Sequence, residues 1–245
     1  ALKKAFKWAE SVGKMPRVVV VVDLYGQSAD MDAIESICSE YGVPILEDSA
    51  EALGASYHGV KCGGRGHLSV LSFNGNKIIT TSGGGALVGN DVETIAKARF
   101  WATQSRDKAR HYQHSEIGYN YRMSNITAGI GRGQLHVIDE RVAQKRHIFD
   151  YYRDQLSSLP GWCFMPEPNG YHSSHWLTVA VINPNESTVT PTQVMDALEN
   201  ENIESRPVWK PMHMQPIFAG CKYFEHDGDT SKYLFENGIC LPSDT

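Results

Sequence analysis

A mixed α/β fold, with a mainly parallel sheet in the first half and a smaller α/β domain at the C-terminal end, is what this 245-residue sequence predicts. Three observations carry that expectation. Residues 18–22 are five consecutive valines ending at Asp23, apolar on both faces as in an interior parallel strand. A helical pattern from Met31 then leads directly into a second short apolar stretch, residues 43–48, so that strand, helix and strand read as one right-handed βαβ unit. After Pro160 and Gly161 the pattern restarts, with strands at 176–182 and 203–208 flanking a helix opened by Thr190 and Pro191. The predicted division is a partial large domain at 1–123, a linking helical region at 124–158, and an incomplete small domain at 159–245.

The chain opens on a basic amphipathic segment carrying Leu2, Phe6 and Trp8, which reads as the tail of an element already under way in a longer sequence. Behind the valine run comes a turn at 25–27, and Asp30 then caps a helix whose apolar positions Met31, Ile34, Ile37, Cys38 and Tyr41 fall at helical spacing, with Gly42 as its stop. The strand at 43–48 ends in Glu47 and Asp48. In open α/β sheets that end is where ligands bind. An apolar strand at 68–73 and another at 86–88 enclose a turn containing Lys77 and the run Gly83, Gly84 and Gly85. Asp91 begins a further helix, and the polar, basic stretch 102–116 reads as a loop. Ser124 caps a long helical region reaching about residue 158, in which Gly129, Gly131 and Gly133 predict close packing or a break. In the small domain, Val194, Leu198 and Met195 supply the buried face of the helix after Thr190.

Composition excludes several classes. A hydrophobic content of 41% suffices for one core, or one core with a satellite. The net charge of -5, with no long basic block, argues against a nucleic-acid partner. No apolar run is long enough for a membrane span. Five scattered cysteines without a C-x-x-C pair read as reduced thiols of a cytoplasmic protein, with neither a disulfide framework nor a zinc site. His111 and His114 have ligand-like spacing but lack an acidic or cysteine partner nearby, so no metal is expected.

Two residues stand out chemically. Lys77 sits between glycines in a turn, where a backbone can approach a bound molecule closely; its amine reads either as a solvated turn lysine or as a Schiff-base amine whose pKa a dry site lowers. Asp48 at its strand end reads either as a helix cap or as the anion that pairs with a protonated cofactor ring nitrogen.

Five stretches bear on these alternatives. Leu24-Tyr25-Gly26-Gln27, Glu47-Asp48-Ser49-Ala50-Glu51, Ser72-Phe73-Asn74-Gly75-Asn76-Lys77, Gly118-Tyr119-Asn120-Tyr121-Arg122 and Pro211-Met212-His213-Met214-Gln215 resemble, in order and spacing, the DegT-type sugar-nucleotide aminotransferases. Residues 72–81 and 209–213 resemble in particular the enzymes that aminate UDP-4-keto-6-deoxy-N-acetylglucosamine on routes to bacillosamine- or legionaminic-type sugars. The resemblance implies the aspartate-aminotransferase fold (fold type I), pyridoxal 5'-phosphate as cofactor, glutamate as amino donor, and a homodimer with shared active sites. It implies that Lys77 holds the cofactor, Asp48 meets its ring nitrogen, Ser72 its phosphate, and Glu51 its ring hydroxyl, where many relatives have glutamine. Asn120 would reach the phosphate from the partner subunit, and Tyr119, Arg122, Lys210 and His213 would face the nucleotide-sugar substrate. Lysine at position 77, where related dehydratases carry histidine, favours transamination. The family also implies sequence before Ala1, including a phosphate-cradling helix start, and a helix beyond Thr245. The rival expectation is a catalytically silent fragment acting only in dimerisation or interaction.

Overall fold

A computed structural model describes residues 1–245. The first half runs α1 (Leu2–Ser11), β1 (Val19–Val22), α2 (Met31–Glu40), β2 (Ile45–Asp48), β3 (Ser56–Tyr57), β4 (Val60–Lys61), β5 (Leu68–Ser72), β6 (Gly85–Val88) and α3 (Val92–Ala102). The second runs α4 (Asn125–Leu135), α5 (Ile138–Leu156), β7 (Trp162–Phe164), β8 (Tyr171–His172), β9 (Thr178–Ile182), α6 (Pro191–Asn200), β10 (Arg206–Pro207), α7 (Thr230–Asn237) and β11 (Gly238–Leu241).

The first sheet has the order β1-β2-β5-β6, with β1, β2 and β5 parallel and β6 antiparallel. Asp30 caps α2 as expected, its side chain accepting from the Ala33 N–H. α2 lies with α1 over one face of the sheet, where Phe6, Met31, Cys38, Val21 and Ile45 form a core cluster. Burying a side chain of this size removes about 1.5 to 3 kcal/mol worth of apolar surface from water.

The valine run departs from its expectation as an interior strand. β1 is an edge strand paired only with β2, and Val18, Val20 and Val22 are 43%, 53% and 47% exposed. Alternation explains the difference: Val19 and Val21 face the helices, whereas the even-numbered valines point to the side that no helix covers.

Other elements are shorter than expected or broken. The strand expected at 203–208 pairs only over Arg206–Pro207, and that expected at 176–182 begins at Thr178. The long helical region divides at His136 and Val137 into α4 and α5, beyond the three glycines. Only Gly131 makes a close approach, while Gly129 and Gly133 face open space.

The second sheet has the order β10-β11-β9-β7 with every neighbour antiparallel. β9 and β10 therefore run in the same direction with β11 inserted between them, a split βαβ unit around α6. Thr190 and Gln193 form a reciprocal capping box with Pro191 in the first turn of α6. Val194, Met195 and Leu198 pack on Ala180, Ile239 and Leu241. A third sheet, β4-β3-β8, links the two halves through Ser56 opposite His172 and Tyr57 opposite Tyr171. All five cysteines are free thiols, and no helix is long and apolar enough to cross a membrane.

Candidate active site

Adjacent parallel strands end side by side, and the register sets Asp48 on β2 opposite Val70 on β5. Ser72 follows two residues later and opens the connection to β6. Within that connection the Phe73 N–H donates to the Gly84 carbonyl at 3.0 Å, and the Thr81 N–H to the Phe73 carbonyl at 2.9 Å. Gly84 has a φ of +105°, and a Cβ there would lie 2.8 Å from Met123 Cε, so only glycine suits the return.

α4 holds the loop from outside. Gln134 Oε1 accepts from the Thr80 N–H at 3.0 Å, and its Nε2 donates to the Thr80 carbonyl at 2.6 Å. Gly131 lets the helix approach, since a Cβ at that position would stand 2.9 Å from Thr81 Cγ2. On the other side, the Lys77 N–H donates to the Asn74 carbonyl at 3.1 Å and the Trp176 indole N–H to the Asn76 carbonyl at 2.8 Å. The backbone is thus pinned before and after Lys77.

The Lys77 side chain is 13% exposed. Its Nζ lies 3.8 Å from Glu51 Oε1 and 4.4 Å from the centre of the Trp176 ring. Burial pulls the Lys77 amine below its ordinary pKa, and the carboxylates of Glu51 and Asp48 partly restore the charged form. A buried amine with a raised neutral fraction can act as a nucleophile or carry a proton. The solvated-turn reading of Lys77 does not describe this geometry.

Glu51 is engaged on both oxygens. The Tyr25 N–H donates to its Oε2 at 3.0 Å and the Trp209 indole to its Oε1 at 3.2 Å. The Trp209 N–H in turn donates to the Tyr25 hydroxyl at 2.6 Å. Tyr25 adopts a left-handed φ of 56°, which turns its ring into the core beside Trp176 and Val208. One carboxylate therefore joins the β1 turn, the lysine loop and the segment after β10. Asp48 Oδ1 accepts from the Ala50 N–H at 3.2 Å in a turn, with no helix there for it to cap, and Oδ2 is left without a protein partner.

Beneath this layer lies a buried acid pair that sequence reasoning missed. Asp23 accepts from Ser49 Oγ at 2.7 Å and the Ala29 N–H at 2.9 Å. Glu47 accepts from the N–H groups of Gly63, Arg65 and Gly66 at 2.6, 2.9 and 2.8 Å. Burial pushes the Asp23 carboxyl up to about 6. Burial also opposes the Glu47 charge, but the three N–H groups outweigh it and hold that carboxyl below its usual range. Cys62 stands close enough to complete a ligand-like trio, yet both Glu47 oxygens are already occupied by backbone donors.

Lys77, Asp48 and Glu51 thus come together, with Ser72 on the same strand end; Ser72 Oγ accepts weakly from the Asn74 N–H at 3.4 Å. Tyr119, Asn120 and Arg122 lie on an exposed surface, Tyr119 stacked on Tyr121 and Asn120 bridged to Thr103. Lys210 is exposed. His213 is engaged by Asp229, Nε2 to Oδ2 at 2.8 Å, and stacks on Tyr223. His111 contacts Gln113 and His114 the Gln104 carbonyl, so the two rings do not converge on a common ligand position. Trp176 and Trp209 also reach the site, although sequence reasoning assigned them no role. Trp209 lay in a matched stretch, whereas nothing local marks Trp176.

The family model described as DegT/DnrJ/EryC1/StrS aminotransferase matches residues 6–245. The chain belongs to this family. Among relatives, it is 51% identical over 245 residues to EpsN of Bacillus subtilis (strain 168), whose name assigns it provisionally as a pyridoxal phosphate-dependent aminotransferase; the match covers 99% of this chain and 62% of that protein. It is 37% identical over 237 residues to GDP-perosamine synthase of Vibrio cholerae, covering 95% of this chain and 62% of the relative. The names of other relatives refer to UDP- and dTDP-linked sugars. The crystal structure of a DegT DnrJ EryC1 StrS aminotransferase from Brucella abortus superposes with a TM-score of 0.85 at 25% identity, over 99% of this chain and 63% of that one. The fold is therefore that of the DegT-type aminotransferases. The chain spans 62% of the length of both curated relatives.

Proposed function

We propose that the chain is a pyridoxal-phosphate-dependent aminotransferase that moves an amino group from glutamate to carbon 4 of a nucleotide-linked 4-keto-6-deoxy sugar of the UDP-N-acetylhexosamine type. The observation that carries this reading is the Lys77 amine, largely buried beside the Glu51 carboxylate at the carboxyl end of a parallel sheet.

The residues present fit the cofactor. Lys77 offers the amine that would hold its carbonyl carbon, Asp48 has a carboxylate oxygen without a protein partner that would meet the ring nitrogen, Glu51 would meet the ring hydroxyl, and Ser72 offers a hydroxyl for the phosphate. When bound, pyridoxal phosphate supplies an electron sink for the charge left as the donor's α-proton departs. Lys77 Nζ carries that proton, because burial keeps a larger fraction of the amine neutral and able to accept it. The same Nζ returns a proton at sugar carbon 4. Asp48 keeps positive charge on the ring favourable, and the pinned loop spares Lys77 a search for its geometry.

Two copies would share the site. Tyr121, next to Asn120 in sequence, and Ile126 at the start of α4 are 77% and 73% exposed, apolar groups that suit cover by a second copy from which Asn120 would reach the phosphate. Tyr119, Arg122, Lys210 and His213 are assigned to the substrate side. The UDP preference rests on the resemblance of residues 72–81 and 209–213, since relatives' names also include GDP- and dTDP-linked sugars. Scattered cysteines suit the reducing cytoplasm.

The test is an amination assay with glutamate and UDP-, GDP- and dTDP-linked 4-keto-6-deoxy sugars, run on the wild type, Lys77→Ala and Lys77→Arg. Turnover of the UDP-sugar by the wild type alone supports the reading. Normal turnover by Lys77→Ala refutes the role of Lys77, and inactivity of the wild type with every sugar favours the silent-fragment alternative, which the 62% coverage of relatives motivates.

A further inference from the structure

We propose that Trp176 is the positioning residue that aims the Lys77 amine, fixing the peptide in front of it and forming the platform on which it rests. The inference rests on the reading of Lys77 as the reactive amine.

Two contacts by one side chain carry it. The Trp176 indole N–H donates to the Asn76 carbonyl at 2.8 Å, across 100 positions of sequence, and so fixes the peptide unit immediately before Lys77. The same ring lies 4.4 Å from Lys77 Nζ. A lysine has four rotatable side-chain bonds and loses rotamer freedom when held in one geometry. Fixing the backbone and offering a flat face removes most of that freedom before any ligand arrives, which is how binding groups preorganise a reaction.

Trp176 is itself buried, being 3% exposed and packed among Tyr25, Ile78, Val142 and Val208. The backbone beside it is equally constrained: Gly26 has a φ of +97°, and a Cβ there would lie 2.6 Å from the Trp176 nitrogen. The platform also sets the amine's surroundings. The charged groups facing Lys77 are Glu51 and Asp48, both favouring the ammonium, and burial is the opposing influence that prevails. The Trp176 ring is part of what excludes water from Nζ, although its π face also attracts a cation. On the proposed role, the ring's exclusion of water from Nζ outweighs its attraction for the cation, so its removal is expected to return the amine toward its ordinary, higher pKa.

The experiment uses the full chain and two variants, Trp176→Phe, which keeps a ring but loses the indole donor, and Trp176→Leu, which loses both. Competitive labelling of lysines by acetic anhydride across pH, with the Lys77 peptide quantified by mass spectrometry, reads the ionisation of the amine without cofactor. The expected result is a Lys77 profile displaced to higher pH in Trp176→Leu and little displaced in Trp176→Phe. Stopped-flow addition of pyridoxal phosphate, followed by borohydride trapping at Lys77, reads aim. A roughly tenfold slower reaction is expected for Trp176→Phe at unchanged folding, judged by circular dichroism. A Trp176→Leu profile that is unchanged or displaced to lower pH overturns the proposal, as does trapping by Trp176→Phe at the wild-type rate. If Trp176→Leu does not fold, the Trp176→Phe rate decides. Should the wild type trap no cofactor, the proposed function fails, while the labelling profiles still decide what Trp176 does to Lys77.

Discussion

The Lys77 amine lies 3.8 Å from Glu51 Oε1 with both side chains mostly shielded from water, 13% and 15% exposed. Glu51 also accepts from Tyr25 and Trp209, so the counter-charge of the lysine is held in place by two other segments. Converting Glu51 to Gln preserves its size and an acceptor oxygen but removes the charge that favours the ammonium. Burial is then opposed by Asp48 alone, and the Lys77 pKa falls further. Lysine-specific labelling should show Lys77 becoming reactive at lower pH in Glu51→Gln than in the wild type. An unchanged profile would mean that the pair has no electrostatic consequence. This shift is opposite in sign to that expected for Trp176→Leu.

Gln134 holds the peptide of Thr80 by both its N–H and its carbonyl. Gln134→Ala leaves those groups without their side-chain partners and should cost about 1 to 2 kcal/mol, read as a lower midpoint of urea unfolding with an unchanged slope. Hydrogen exchange should rise at residues 77–81 before it rises in β5. Equal protection in variant and wild type would remove the helix from the account of how the loop is fixed.

Gly26 combines a left-handed backbone with two tight neighbours, since a Cβ would stand 2.5 Å from Ser174 Oγ and 2.6 Å from the Trp176 nitrogen. Gly26→Ala should destabilise the chain by about 3 kcal/mol or more. Thermal unfolding measures this, and a loss within experimental scatter would mean that the two halves are not packed together at this turn.

The pH dependence of stability should contain two opposed contributions. The Asp23 carboxyl is raised from 3.8 to about 6, so folding takes up a proton in that interval; its contribution is present at low pH and lost as pH rises through about 6. Asp23→Asn should therefore gain about 1 to 2 kcal/mol over the wild type above that pH, with the difference closing in acid. His175 behaves in reverse. Burial against Phe149 lowers its imidazole from 6.5 to about 4, so its contribution is present above the unfolded value and lost as pH falls toward the folded one. His175→Asn, which tolerates the local φ of 44°, should be less stable at neutral pH but lose less on acidification. Urea unfolding from pH 4 to 8 separates the two, and parallel curves for all three proteins would contradict both assignments.

What could be read from the sequence follows the range of the interactions involved. Asp30, Asp91, Ser124 and Thr190 each cap the helix expected of them, because a cap is a bond between a side chain and backbone two or three residues away. The grouping of Lys77, Asp48 and Glu51 could be expected because they sit in dense local stretches that resemble a family. The exposure of Val18, Val20 and Val22 was not legible, since five valines look alike whether one face or both are covered. Two-residue strands such as β3 and β8 have no period to detect. Trp176 stayed hidden for a related reason: its partner Asn76 is 100 positions away, and a tryptophan beside a strand ordinarily reads as core. Asp23 follows directly on β1 and Glu47 lies on the neighbouring β2, so only the parallel register of those strands brings their carboxylates together.

The most direct test of the central claim is to add pyridoxal phosphate to the purified chain, record its visible absorbance, reduce with borohydride and map the labelled peptide. The account predicts a visible band and a single cofactor label on Lys77, both abolished in Lys77→Ala. No band, or a label spread over exposed lysines such as Lys3 and Lys210 with Lys77 unmodified, would contradict it.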